Sequence, residues 1–409
     1  MSENRKPTYL VMVTANNNNK YYKMIPESND TFTVEFGRIG ANPQRSSYSM
    51  SQWNKKYNEK IKKGYIDQSD LMEDLIEEVN DSNSDYKEIE NSEIKKIVDR
   101  LQNMAHTSVQ KNYKVGADKV TQAMVDKAQE KIDEIATNST STTVNKFNND
   151  LVELFAIIPR KMKNVNDWLA KDLNSIGDII QREQDLLDVM KGQVFQKTVI
   201  DNDVNNTKSS KTILETLGLV IDEVTDTDMD KIKNIFGSNA SNIVNAWKVT
   251  NLKTQDKFDK YIKDHNISEI KYLLHGSGNA NWWSIISNGL NIRPANAASH
   301  GRMLGNGIYL ANDVEKSRTY TSRSSWTYKS EPTGFIGIME TAYGKPYDIN
   351  AFDSKYYSYN YDKLRNACPD ADCIHAHKGM NTGWCNLRYD EIVVYNEEQC
   401  TINYIVEFK

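Results

Sequence analysis

The chain has no hydrophobic run approaching the roughly 20 residues of a membrane-spanning helix, which predicts no membrane partner. Its first ten residues, MSENRKPTYL, lack a hydrophobic signal region, which predicts a chain that is not secreted. Cysteine is scarce: four residues, all late, at 368, 373, 385 and 400. Without a secretion signal they read as reduced thiols, not a disulfide framework. Basic residues do not dominate. The net charge of −5 confines any nucleic-acid surface to a local patch. No G-x-G-x-x-G follows a strand and opens a helix, and no P-loop is present, so a Rossmann-type site is not indicated.

What is present is patterned in blocks. Residues 1–65 carry eleven Lys/Arg against five Asp/Glu, whereas residues 66–100 carry four against twelve. The acidic stretch includes NDSNSD (80–85), too polar to fold alone, and reads as a linker. Before it, YLVMV (9–13) and TFTVEF (31–36) are strand-like, with NNNN (16–19) as a turn. Trp53, Tyr57 and Ile61 recur at four-residue spacing, one face of a helix that Gly64 ends. The middle is helical: 117–136, 144–159 and 165–192 each carry an apolar stripe, and helices with short connections make a bundle. VIDNDVNNTKSSK (199–211) reads as a second linker. Beyond it, IKYLL (270–274), GFIGIME (334–340), EIVVYN (391–396) and TINYIVEF (401–408) read as strands, with a helical piece at 279–290. The class is α+β.

Four short segments of the last third carry residues that could do chemistry. In YLLHGSGNANWW (272–283), a strand delivers His275 into a turn almost bare of side chains. GRMLGNGIYL (301–310) carries Tyr309, EKSRTY (315–320) carries Ser317 and Tyr320, and RYDEIVVYN (388–396) carries Glu391. An acid at the start of an apolar strand costs burial energy unless it is used or paired, or else it is a strand-end charge in water. A lone strand-end histidine is commonly a hydrogen-bonded structural residue, and either tyrosine could be a core aromatic. Singly, none points to a site.

Together, these segments resemble the catalytic domain of the poly(ADP-ribose) polymerases, with His in H-G-S, Tyr in G-x-G-I-Y and Glu in [ND]-E-[YI]-[IV]-[VI]-Y, in that order. The resemblance extends upstream. FNNDLVELFAIIPRKM and the segment after it are similar to the family's helical regulatory domain, and NKYYKM…FTVEFGRIG…QWNKKYNEKIKKGY is similar to a WGR domain. It implies an N-terminal small sheet plus helix (1–75), an acidic linker (76–90), an all-α regulatory bundle (91–198) and a mixed α/β ADP-ribosyltransferase domain with two packed antiparallel-rich sheets (205–409).

The resemblance further implies a DNA-activated enzyme that moves ADP-ribose from NAD+ to protein acceptors, itself included, extends it to polymer and releases nicotinamide, with no metal. By motif match, Gly276 and Ser317 would hold the nicotinamide amide, and Tyr320 and Tyr309 its ring. His275 and Ser277 would bind the adenosine-ribose hydroxyls, and Asn281 would also bind NAD+. Glu391 would bond the nicotinamide-ribose 2′-hydroxyl, stabilise the developing cation and act as general base on the acceptor hydroxyl, with Met303 and Tyr389 lining the acceptor side. Phe36, Gly37 and Arg38 would meet DNA ends or nicks. The family's helical domain blocks the NAD+ site until DNA loosens it. Localisation would be nuclear in a eukaryote, and cytoplasmic in a bacterium or a virus-infected host.

The sequence also departs from the family. Phe36 stands where W-G-R has tryptophan and lacks the indole N–H, while Asn306 and Asn291 replace a common lysine and arginine. These changes keep single ADP-ribose transfer open, and a DNA-end-binding scaffold with an inert domain is the reading from another class. Finally, Cys368, Cys373, His375, His377 and Cys385 look like metal-ligand material. Their spacing, C-x4-C-x-H-x-H-x7-C, matches no usual zinc pattern, and CIHAH reads more simply as a strand leading into the Glu391 hairpin.

Overall fold

The apolar alternation of the N-terminal segment becomes an antiparallel sheet. β1 (Thr8–Thr14), β2 (Asn18–Pro26), β3 (Thr31–Arg38), β4 (Gln44–Ser49) and the short β5 (Ile66–Asp67) line up in the order β4-β3-β2-β1-β5. Register pairs Leu10 with Tyr22 and Met24 with Val34, which puts these apolar residues on one face. Helix α1 (Trp53–Ile61) covers that face with Trp53, whose ring meets Phe32 edge-on at 4.9 Å. Trp53 is buried and Tyr57 packs against the cluster, but Ile61 is exposed, so the expected stripe is shorter than its spacing suggested.

The computed structural model describes residues 5–27, 30–39, 41–69, 86–114, 117, 120–139, 141–204, 211–292, 303–323, 331–383 and 385–409, the side chains of 200–204 excepted. The NDSNSD tract lies outside the described residues, as do 76–85 of the acidic linker. Helices follow: α2 (Ser92–Asn112), α3 (Gln122–Asn138), α4 (Val144–Ile157) and α5 (Ile176–Val204). Thr121 and Thr143 cap α3 and α4 through hydroxyls that accept N–H bonds from Met124 and Lys146.

The helix expected over 165–192 is broken: Val165–Trp168 is a 3-10 turn, and α5 starts only at Ile176. Asn148 clamps Ala170 at both backbone groups (2.8 and 3.0 Å), and the Asp172 carboxylate takes the Ser175 N–H at 2.9 Å, so the chain between is held out of helix. The linker expected over 199–211 is also shorter, because α5 runs on to Val204.

The chain divides into two compact units: Met1–Asn83 with Thr107–Lys197, and Ser84–His106 with Thr198–Lys409. In the first, the N-terminal sheet is tied to the helices by buried polar contacts. Asn19, fully buried, donates to the Arg160 carbonyl at 3.1 Å. Arg160 itself is buried and paired with buried Glu183.

In the second unit, α6 (Ile213–Leu217) and α7 (Asp226–Phe236) each begin on a capping box, Thr212/Glu215 and Thr225/Asp228. β6 (Leu219–Glu223), β7 (Ile243–Asn251), α8 (Leu252–His265), β8 (Ile270–Gly276) and α9 (Trp282–Asn288) follow. Then come β9 (Ile308–Leu310), α10 (Val314–Arg318), β10 (Gly334–Ala342), β11 (Pro346–Ala351), α11 (Tyr361–Ala367), β12 (Cys373–Asn381), β13 (Glu391–Val394) and β14 (Cys400–Phe408). They form two sheets, β6-β7-β14-β10-β8 and β11-β12-β13-β9, antiparallel throughout except for β11 with β12. The two tryptophans of α9 are fully buried, which makes them the packing face of that helix. The start of α2 belongs to this unit: Arg100 donates to Glu407 at 2.7 Å and to Thr333 at 2.9 Å.

Candidate active site

The site forms where the two sheets of the second unit meet. Beyond its pairing with β10, β8 joins the residue after β9 through a bridge, with Leu274 N–H to the Ala311 carbonyl at 2.7 Å and the return bond at 2.9 Å. That bridge places the next residue of β8, His275, beside Tyr309, whose carbonyl accepts from His275 Nδ1 at 3.2 Å. A carbonyl can only accept, so Nδ1 carries the proton and Nε2 keeps its lone pair. Burial pushes the His275 imidazole below its ordinary pKa, with the Tyr309 bond acting the other way, so the ring is neutral at neutral pH.

The bare turn after His275 has a steric cause. A Cβ on Gly276 would stand 1.9 Å from the Ser317 carbonyl oxygen. Glycine is what lets α10 lie against the end of β8. Asp313 caps α10, accepting from Glu315 N–H at 2.8 Å, and the helix carries Ser317, buried, up to the turn. Asn281, buried, donates to Ser277 Oγ at 3.0 Å, and Trp282 Nε1 donates to the Ser277 carbonyl at 3.3 Å. Asn281 therefore orients Ser277 from behind.

Glu391 opens β13 and is only 2% exposed. Its Oε1 pairs with Lys316 of α10, while Oε2 is buried with no hydrogen-bond partner. Burial disfavours the Lys316 charge, but the Glu391 carboxylate, Tyr320 and their hydrogen bonds outweigh it and raise the ammonium above its ordinary pKa. Lys316 Nζ also sits 5.7 Å from the Tyr320 ring centroid, and Tyr320 itself is 47% exposed. Tyr309 pairs in register with Val393, two residues beyond Glu391. Its hydroxyl accepts from Leu304 N–H and donates to the Gly305 carbonyl, both at 3.0 Å, so the G-N-G loop folds around it. Gly305 has φ +88°, and a Cβ there would meet the Tyr359 carbonyl oxygen at 2.2 Å.

The structure thus brings together His275, Gly276, Ser277, Asn281, Tyr309, Ser317, Tyr320 and Glu391. Met303, half-buried, packs on the cluster of Leu304, Tyr356 and Tyr359. Tyr389, also half-buried, lies under Arg388 at 5.4 Å. Two further residues stand at the site outside the expected set: Lys316, although it is next to Ser317, and Asp390, which accepts from Lys378 N–H at 2.8 Å, Asn312 Nδ2 at 2.8 Å and His375 Nε2 at 3.1 Å. Asp390 pins the backbone just before Glu391 to β12 and to the loop before α10. The acidic doublet at the head of an apolar strand was the available signal.

The residues expected at DNA lie in the first unit. Phe36 is half-buried, 5.9 Å from the Tyr22 ring, with Lys60 Nζ 5.8 Å from its centroid. Gly37 pairs with Tyr21 across β2. Arg38 is half-buried and engaged within its unit: its guanidinium donates to the Asn17 carbonyl (2.8 Å), Asn17 Oδ1 (2.8 Å), and the carbonyls of Met162 (3.2 Å) and Lys163 (2.7 Å). Arg38 therefore joins sheet and helical segment.

Comparison with known proteins agrees with this layout. The family model of the poly(ADP-ribose) polymerase catalytic domain matches residues 224–409, and that of the WGR domain matches residues 7–71. The chain is 35% identical over 197 residues to the uncharacterized protein 101L of Invertebrate iridescent virus 6, covering 48% of this chain and 81% of that protein. It is 23% identical over 296 residues to poly [ADP-ribose] polymerase 1 of Danio rerio, covering 67% of this chain and 28% of that one. With the poly [ADP-ribose] polymerase of Drosophila melanogaster it shares 30% identity over 187 residues, 41% of this chain and 18% of that one. The chain thus spans less than a third of the length of these two animal relatives. Among the described residues, no helix is long and apolar enough to cross a membrane.

Proposed function

Because the chain belongs to the poly(ADP-ribose) polymerase family, with a WGR domain as well as the catalytic domain, we propose that it is an NAD+ ADP-ribosyltransferase that is switched on by DNA ends or nicks and builds poly(ADP-ribose) on protein acceptors, itself included. The observation that carries the reading is Glu391. It is buried, held at one oxygen by Lys316, and has its second oxygen unpaired. A buried carboxylate oxygen without a partner is costly unless a ligand supplies the hydrogen bond.

The chemistry follows from the arrangement. Gly276 and Ser317 take the nicotinamide amide, and the rings of Tyr320 and Tyr309 flank it. His275, neutral and with its Nε2 lone pair free of the Tyr309 bond, accepts a ribose hydroxyl on the adenosine side, with Ser277 oriented by Asn281. Departure of nicotinamide builds positive charge on its ribose, as in glycoside hydrolysis. Glu391 Oε2 takes the 2′-hydroxyl of that ribose, stabilises the developing cation and polarises the acceptor hydroxyl as general base. Met303 and Tyr389 line the acceptor side. No step calls on a metal.

The first unit supplies DNA dependence. Its basic excess is local: Lys56 and Lys60 of α1 lie over Tyr48 and Tyr22 at 4.3 and 4.1 Å, and the half-buried Phe36 ring sits beside them. Arg38, bonded to Met162 and Lys163, carries a displacement of the sheet into the helical segment of the same unit. The test is automodification of the full chain with labelled NAD+, with and without nicked DNA, read on gels. Long products that require DNA are expected. A single adduct would replace the reading with mono-ADP-ribosyl transfer, and equal product without DNA would remove the switch. No NAD+ consumption would leave a DNA-binding scaffold.

A further inference from the structure

The CIHAH stretch is not used by the reaction, and its two histidines are not core residues. It forms β12, between β11 and β13, the strand expected before the Glu391 segment. On a strand, residues two apart share a face, and His375 and His377 do so with rings 4.2 Å apart and 24° from parallel. β11 runs parallel to β12 with Asp348 in register with His375. One ligand atom each from Asp348, His375 and His377 lies within 4.8 Å of the others. The cysteines of the sequence pattern take no part: Cys373 is buried, where burial pushes its thiol up, and Cys385 is exposed in the hairpin beyond β12.

We propose that Asp348, His375 and His377 form a binding site for one divalent cation of the zinc type. The donor chemistry suits such an ion, two imidazoles and a carboxylate, with a fourth position left for water or a second carboxylate. His377 Nε2 lies 2.7 Å from Asp348 Oδ1, and His375 Nε2 lies 3.1 Å from Asp390 Oδ2. Ligands at about 2.0–2.1 Å from a tetrahedral ion stand about 3.3 Å from one another. The His377–Asp348 pair therefore needs to open only by a fraction of an ångström to admit an ion, and His375 turns its Nε2 from Asp390 to complete the set. Tyr343 OH, 2.8 Å from His375 Nδ1, holds that ring from behind, as outer partners of metal-bound histidines do. Occupancy would tie β11 to β12 close to Asp390, the residue that precedes Glu391.

The full chain, purified with chelator and then freed of it, is titrated with Zn(II) by calorimetry and with Co(II) by visible absorption. One equivalent should bind at micromolar concentration, with a Co(II) band typical of a four- or five-coordinate site. Zn(II) should raise the melting temperature, and EDTA should reverse the rise. His377→Ala and Asp348→Asn, both at the protein surface, should each weaken binding at least tenfold with an unchanged circular dichroism spectrum. Cys385→Ser should bind like the parent. The assignment is overturned if no saturable binding occurs below millimolar metal, if both ligand variants bind as the parent does, or if Cys385→Ser abolishes binding.

Discussion

Two buried glutamates, one in each unit, have different surroundings. Glu183, 1% exposed, has both oxygens paired, one with Arg160 and the other with Arg182 at 2.8 Å. Glu391, 2% exposed, has one oxygen paired with Lys316 and the other bare. Both anions are out of water, and both have a cation. A complete set of partners marks a carboxylate that holds structure together. On the proposed reading, the incomplete set at Glu391 keeps a hydrogen-bonding site for a ligand. Burial alone does not distinguish the two.

The sharpest way to break this comparison is to neutralise each acid in turn. Glu391→Gln should cut polymer formation from labelled NAD+ by about 10²–10⁴-fold while leaving the melting temperature close to that of the parent. Glu183→Gln should do the opposite. It leaves Arg160 buried without a counter-charge and should cost about 3–5 kcal/mol in denaturant unfolding. If Glu183→Gln were as stable as the parent, or Glu391→Gln as active, pairing would not be the criterion.

Lys316→Met tests whether the lysine acts through Glu391. Loss of the ion pair should lower kcat by about 100-fold, as a misplaced catalytic group does, with KM much less affected. A change confined to KM would make Lys316 a binding residue instead. Gly276→Ala puts a methyl group into the Ser317 carbonyl, which is backbone and cannot swing aside. It should destabilise the second unit by about 1–3 kcal/mol, read in thermal unfolding, and weaken NAD+ binding as α10 retreats.

The smallest effect concerns a third acid, Asp228, which is paired but lies near the surface. The Tyr404 hydroxyl (2.6 Å) and the Thr225 bonds pull its pKa down from 3.8 to about 2. Because the folded value lies below the unfolded one, its contribution is present above about pH 4 and lost as pH falls toward 2. Tyr404→Phe should flatten that part of the stability–pH curve, measured as melting temperature against pH, and leave the curve above pH 5 shifted only uniformly.

Much of this was legible in the residues. Strands β1, β3, β8, β10, β13 and β14 and helix α4 stand where apolar period and punctuation placed them, because each buries one regular face, whereas α3 begins at Gln122, after its Thr121 cap, and not at residue 117. β6 and β7 were not read. VIDE and VNAWKVTN mix charge with apolar residues, and both strands owe their place to the sheet they join. The break before α5 was hidden too, since its cause is Asn148, 22 residues away in sequence. At the candidate site, the H-G-S, G-x-G-I-Y and D-E-I-V-V-Y segments could be named from sequence. Lys316 and Asp390 could not be given partners, because charge pairing across sheets leaves no local period.

Local order and chemical type belong to the sequence alone. It determined where strands and helices form, which segments carry a histidine, a tyrosine and an acid in family order, and where glycines must stand. Tertiary structure decided what each of these does. It set Arg38 on three backbone carbonyls, set Gly276 against Ser317, and gathered His375, His377 and Asp348 on one sheet face. It also gave Glu183 two cations and Glu391 one. The reason is physical: periodicity and propensity act within a few residues, whereas desolvation and pairing depend on groups that meet only when the sheets close.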